Sequence, residues 1–141
     1  MRLKKHGMAK PEQAAISNRI AACLRKDFPE ISTAYIFGSF TGQDSFGDID
    51  IGVLVSGENF PPPLEHELAM ESALEKELRL PIDVRILNSA PLSFQHTVIR
   101  NGLLIIDKDS NSRAGFEGNV RKRYFDFSLF RKRYLKEVAH A

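Results

Sequence analysis

Residues 36–55 read IFGSFTGQDSFGDIDIGVLV, and this stretch decides the fold. It holds the end of one β-type run, a Gly38-Ser39 corner, a short polar loop, and Asp48-Ile49-Asp50 opening a second β-type run. The first run, Thr33 to Phe37, is rich in β-branched and aromatic residues. In the second, Ile49, Ile51, Val53 and Val55 alternate with Asp48, Asp50 and Gly52, which is the period of a strand with one apolar face. Residues two apart on a strand point the same way, so the Asp48 and Asp50 carboxylates converge at the end of the sheet where the Gly38-Ser39 corner also lies. Asp-x-Asp also ends ordinary solvated loops. Here the two charges begin an otherwise apolar strand, and two such carboxylates repel unless a cation lies between them.

A third strand, Ile82 to Leu87, turns Ile82, Val84 and Ile86 one way and Asp83 and Arg85 the other. An aspartate inside such a strand is costly without a partner, which either a metal or Arg85 would supply. Three hard carboxylates suit magnesium or manganese, and two ions together would serve attack at a phosphorus and departure of its leaving group. A strand stopping at Gly38-Ser39 exposes backbone N–H groups and a hydroxyl suited to phosphate oxygens. Alone, Gly-Ser describes any tight turn. Its weight comes from the order strand, Gly-Ser, loop, Asp-x-Asp strand, helix, strand with aspartate.

Working outward, Pro11 to about Phe28 reads as a helix with Ile16, Ile20, Cys23, Leu24 and Phe28 in one stripe. Pro61-Pro62-Pro63 launches a second helix to about Leu80, and Asn88-Ser89-Ala90-Pro91 caps a third from Leu92 to Arg100, stopped by Asn101-Gly102. Leu103 to Ile106 adds a short strand. After a loop from Asp107 to Ser112, Phe116, Val120, Tyr124, Phe127, Tyr134 and Val138 share one arc of a long last helix, interrupted by Arg123 and Arg131. That arc reads as core or subunit interface, with a partner groove as the alternative. The expectation is an α/β (α+β) fold, a small mixed sheet flanked by helices. It forms one domain over 1–141, with the first nine residues as the candidate mobile appendage and 112–141 as a C-terminal helical segment.

At 141 residues, 43% apolar and 27% charged, the composition is that of a soluble globular domain with one ordinary core. No signal-peptide or membrane-spanning pattern occurs, and the cytoplasm is the expected location. Cys23 stands alone, so a disulfide or a cysteine-rich zinc site within one chain is excluded. His6, His66, His96 and His140 show no ligand spacing and are assigned no role. From Ser112 onward eight Lys and Arg face three acids, a local charge of +5 against +2 for the whole chain. Such a run is more often the solvated face of a helix than a nucleic-acid surface, and no nucleic-acid motif accompanies it.

On Gly38-Ser39, Asp48-Ile49-Asp50, Asp83 within Ile-Asp-Val, and the stretch from Leu87-Asn88-Ser89-Ala90-Pro91 to Asn101-Gly102, the chain resembles the minimal nucleotidyltransferases (MNT) of the DNA polymerase β superfamily. The likeness is to the small antitoxin type encoded beside HEPN-domain ribonuclease toxins. The resemblance implies a polymerase β-like fold, ATP as substrate, and two Mg2+ ions on Asp48, Asp50 and Asp83. Gly38 and Ser39 would hold the triphosphate, and AMP would pass to a tyrosine of the partner HEPN toxin. The Gly42 to Gly47 loop is shorter than the family's usual one, with Thr41-Gly42 where many members carry a basic residue. Three rivals stay open: an antitoxin that neutralises by binding alone, a nucleotidyltransferase acting on small molecules, and, least favoured, nucleic-acid binding. The last helix is also a candidate for an oligomer contact.

Overall fold

The alternation after Asp48 becomes strand β2, Ile49–Val55, at the centre of a four-stranded sheet in a computed structural model that describes residues 10–38 and 48–140. β1, Ile31–Phe37, runs antiparallel to it and sets Phe37 opposite Asp50. β3, Ile82–Ile86, lies parallel on the other side, and β4, Leu103–Asp107, pairs antiparallel with the far side of β1, so the order is β3-β2-β1-β4. The one parallel pair needs a crossover, which helix α2, Pro63–Leu78, provides between β2 and β3. The remaining helices among the described residues are α1, Lys10–Asp27, α3, Leu92–Asn101, and α4, Ser110–Ala139. None of them is long and apolar enough to cross a membrane. The α/β arrangement and the mixed sheet agree with the sequence expectation.

Strand alternation divides the apolar residues between two faces. Ile49, Ile51 and Val53 of β2 and Ile82, Val84 and Ile86 of β3 pack with Ile20 and Leu24 of α1 and Met70, Leu74 and Leu78 of α2. On the opposite face Tyr35, Leu54 and Leu87 meet Val98 and Ile99 of α3 and Val120 of α4. The polar side chains of β2 and β3, Asp50 and Asp83, belong to this second face. Both are half-buried.

Two details depart from the sequence reading. Asn88 does not cap α3: Pro91 occupies that position without a side-chain cap. Instead Asn88 accepts from the Val55 N–H and donates to the Val55 carbonyl, both at 2.9 Å, and so prolongs the pairing at the end of β2. The last helix starts at Ser110, inside the expected loop, because Asp109 caps it by accepting from the Ser112 N–H at 3.1 Å. His66, for which the sequence shows no ligand spacing, packs instead: it is buried against Glu30 at 2.5 Å and stacks with Phe60, a contact that ties the start of α2 to the residue just before β1.

The outer edge of β3 is closed by α2. Glu67, Glu71 and Glu75, one helical turn apart, accept from the backbone N–H groups of Ile86, Val84 and Ile82 at 2.8, 2.8 and 3.1 Å. Alternate residues of an edge strand point their N–H groups outward, two residues of strand span about 6.6 Å, and one turn of helix about 5.4 Å, so the repeats match closely enough for three rungs.

Candidate active site

Gly38 ends β1 with φ +82, in the left-handed region that a side chain rarely occupies. A Cβ placed on it would run into Oδ2 of Asp50. The turn after β1 is therefore pressed directly against a carboxylate of β2, and only glycine permits that approach. Asp50 in turn stands beside Asp83 in the parallel β2–β3 register, both half-buried, while Asp48 lies exposed at the start of the strand.

These carboxylates feel one another. Burial raises the Asp50 carboxyl above the usual carboxylate range, Asp83 and then Asp48 push it further, and Arg85 pulls the other way. Two neighbours of like charge outweigh one exposed guanidinium, leaving the surroundings of Asp50 net negative. Arg85 is also engaged elsewhere, its guanidinium 5.4 Å above the ring of Phe94, which packs edge-on against Phe37. Asp83 has a further acidic neighbour that sequence reasoning missed. Glu71, besides accepting from the Val84 N–H, has Asp83 as a neighbour; burial first and then the proximity of Asp83 raise the Glu71 carboxyl, against the pull of the Val84 N–H. The signal was the four-residue spacing of Glu67, Glu71 and Glu75, which without the fold describes any solvated helix face.

The structure thus brings Gly38, Asp50 and Asp83 together, with Asp48 near enough to act on Asp50 through its charge. Ser39 and the Gly42 to Gly47 loop, as well as the first nine residues, lie outside the described residues. Among the described residues no three His, Cys, Asp or Glu side chains are gathered as a metal cage. The donor set nonetheless fits a hard divalent cation. It consists of carboxylate oxygens on one face, and the repulsion that raises Asp50 is what a cation would relieve.

The family model for polymerase beta nucleotidyltransferases matches residues 18–111, two thirds of the chain, including all three aspartates and the Gly38 turn. The chain belongs to the polymerase β nucleotidyltransferase family. No curated protein matches it in sequence. Its fold matches that of a chain in the crystal structure of the toxin–antitoxin MntA–HepT, with a TM-score of 0.69 at 21% identity over 89% of this chain and 97% of that one. A chain in the complex of tri-AMPylated Shewanella oneidensis HEPN toxin with MNT antitoxin gives 0.70 at 22%, over 89% and 98%. A toxin–antitoxin structure with AMP-PNP gives 0.70 at 22%, over 86% and 97%. At these identities the likeness is one of fold. This nucleotidyltransferase-family chain shares it along nearly the full length of each matched chain.

Proposed function

We propose that this chain transfers AMP from ATP to a tyrosine hydroxyl of a partner HEPN ribonuclease, in the manner of an MNT antitoxin. The observation that carries the reading is the Asp50–Asp83 pair, half-buried and in register beneath the Gly38 turn, with Asp48 adding its charge. Supporting it are the family membership and structural relatives that include an AMPylated toxin complex and a complex with AMP-PNP.

Asp48, Asp50 and Asp83 would hold two magnesium ions, which neutralise the triphosphate and stabilise the departing pyrophosphate. Gly38 together with Ser39 would hold the β and γ phosphates. In the transfer, the tyrosine oxygen forms a bond to the α-phosphorus while the bond from that phosphorus to the bridging oxygen breaks, and pyrophosphate leaves. Asp83 accepts the hydroxyl proton. Its place in β3, in register with Asp50, sets that carboxylate at the site, and holding the reactants in line would provide much of the acceleration.

Mass spectrometry of a HEPN toxin co-expressed with this chain tests the proposal. The expected result is one or more added AMP groups on tyrosine, absent with the Asp48→Asn, Asp50→Asn variant, together with loss of protection from toxicity. An unmodified toxin that the double variant still neutralises would leave binding alone as the function.

A further inference from the structure

In-line transfer puts the attacking oxygen and the departing pyrophosphate on opposite sides of the α-phosphorus. With the β and γ phosphates at the Gly38 turn, on the β1 side of Asp50, the acceptor hydroxyl arrives on the β3 side, where Asp83 stands. What the rest of the acceptor meets there is set by the strand. Asp83 and Arg85 share one face of β3, about 6.6 Å apart along it. Arg85 is exposed, with its guanidinium 5.4 Å from the centre of the Phe94 ring. Phe94 in turn packs edge-on, at 5.5 Å, against Phe37, the residue opposite Asp50 in β1. An aromatic wall thus crosses this face from β1 to β3 beside both aspartates, and it ends in a cation on the side of Asp83.

An arginine two residues from one carboxylate and across the sheet from another would ordinarily pair with them. Among the described residues Arg85 forms no ion pair, and its charge reaches Asp50 only at a distance. A guanidinium is planar and stacks on aromatic rings, so one resting on Phe94 still has a second face to offer. A phenol ring is shorter than the two-residue repeat of a strand. Its oxygen at Asp83 therefore leaves the ring beside Arg85, whereas the hydroxyl of serine or threonine would leave that cation uncovered. We infer that Arg85, held on Phe94, binds the acceptor and selects an aromatic hydroxyl, its guanidinium stacking on the ring whose oxygen lies at Asp83. The inference rests on the nucleotidyl-transfer reading above and adds to it the residue that recognises the acceptor. The same cation favours the negative charge that develops on the phenol oxygen as its proton leaves.

The test uses the full-length chain with Mg2+ and α,β-methylene-ATP, whose α,β bridge cannot break. N-acetyl-3-fluorotyrosine amide is the probe, its binding read from the fluorine NMR line width, and calorimetry follows the ATP analogue. Unlabelled N-acetyl-tyrosine amide is expected to displace the probe and N-acetyl-serine amide to leave it bound. Arg85→Ala should weaken probe binding at least fivefold while the affinity for α,β-methylene-ATP stays within twofold and Tm is unchanged. Arg85→Lys keeps the charge without the planar face and should bind the probe as poorly as the alanine variant. Undiminished binding by Arg85→Ala, full rescue by lysine, or equal competition by the serine amide overturns the inference. So does a parallel loss of α,β-methylene-ATP affinity in Arg85→Ala, which would assign the residue to the nucleotide. A wild-type chain that takes up the ATP analogue but not the probe sinks this inference alone; one that takes up neither removes the nucleotidyl-transfer reading and this inference with it.

Discussion

Replacing Gly38 by alanine asks whether the turn and Asp50 are mechanically one unit. Two costs follow from the structure. The backbone at φ +82 charges a side chain roughly 1–2 kcal/mol for occupying left-handed space. The new Cβ must also displace Oδ2 of Asp50, and driving that side chain off its rotamer adds about 0.5–1.5 kcal/mol. Together they predict a loss of roughly 2–3 kcal/mol, or a fall in Tm on the order of 10 °C for a chain of this size. The second cost disappears if Asp50 is first cut back to alanine. Gly38→Ala in an Asp50→Ala background should therefore cost only the backbone share, giving a coupling of about 1 kcal/mol in a double-mutant cycle measured by urea unfolding. Strict additivity would refute the claim that the turn is pressed against the carboxylate. A Gly38→Ala protein as stable as wild type would refute the left-handed turn as well.

Asp48→Asn with Asp50→Asn should leave thermal stability without magnesium level or raised, since both changes remove repelling charge. The sign is set by Asp50, whose raised value means that the fold disfavours its ionised form: the gain is full above the raised value and vanishes once pH falls below the ordinary carboxylate range, as melting curves across pH would show, and a marked loss of stability at neutral pH would assign these residues a structural role. Replacing Glu67, Glu71 and Glu75 together by alanine should cost roughly 2–4 kcal/mol at about 1 kcal/mol for each bond removed, and should speed amide exchange at Ile82, Val84 and Ile86 above all others in β3. Unchanged exchange at those three amides would show that solvent already competes for them.

The local periods carried most of the architecture. Ile49 to Val55 alternates cleanly because one face is apolar and the other bears Asp48, Asp50 and Gly52, and the strand found has those limits. The sheet-end placement of the aspartates followed from the same alternation. What stayed hidden depends on residues distant in sequence. Asn88 looks like a helix cap because its neighbours are turn formers; its use at Val55, 33 residues away, comes from the parallel crossover. The stripe from Phe116 to Val138 has one period throughout, and no local signal marks where burial gives way to exposure after Val120. Arg85 is one of the two partners the sequence offers Asp83, beside a metal, and its place over Phe94 required knowing that α3 crosses that face of β3.

The glutamate rungs along β3 also give the sheet a direction of growth. A strand added from outside, whether by gene fusion, by a partner peptide or by misassembly, finds the outward amides of β3 already engaged. β4, paired among the described residues only with β1, is the remaining border. Enlargement of this fold by further strands is therefore steered to the border away from Asp83, and additions there leave the carboxylate end undisturbed.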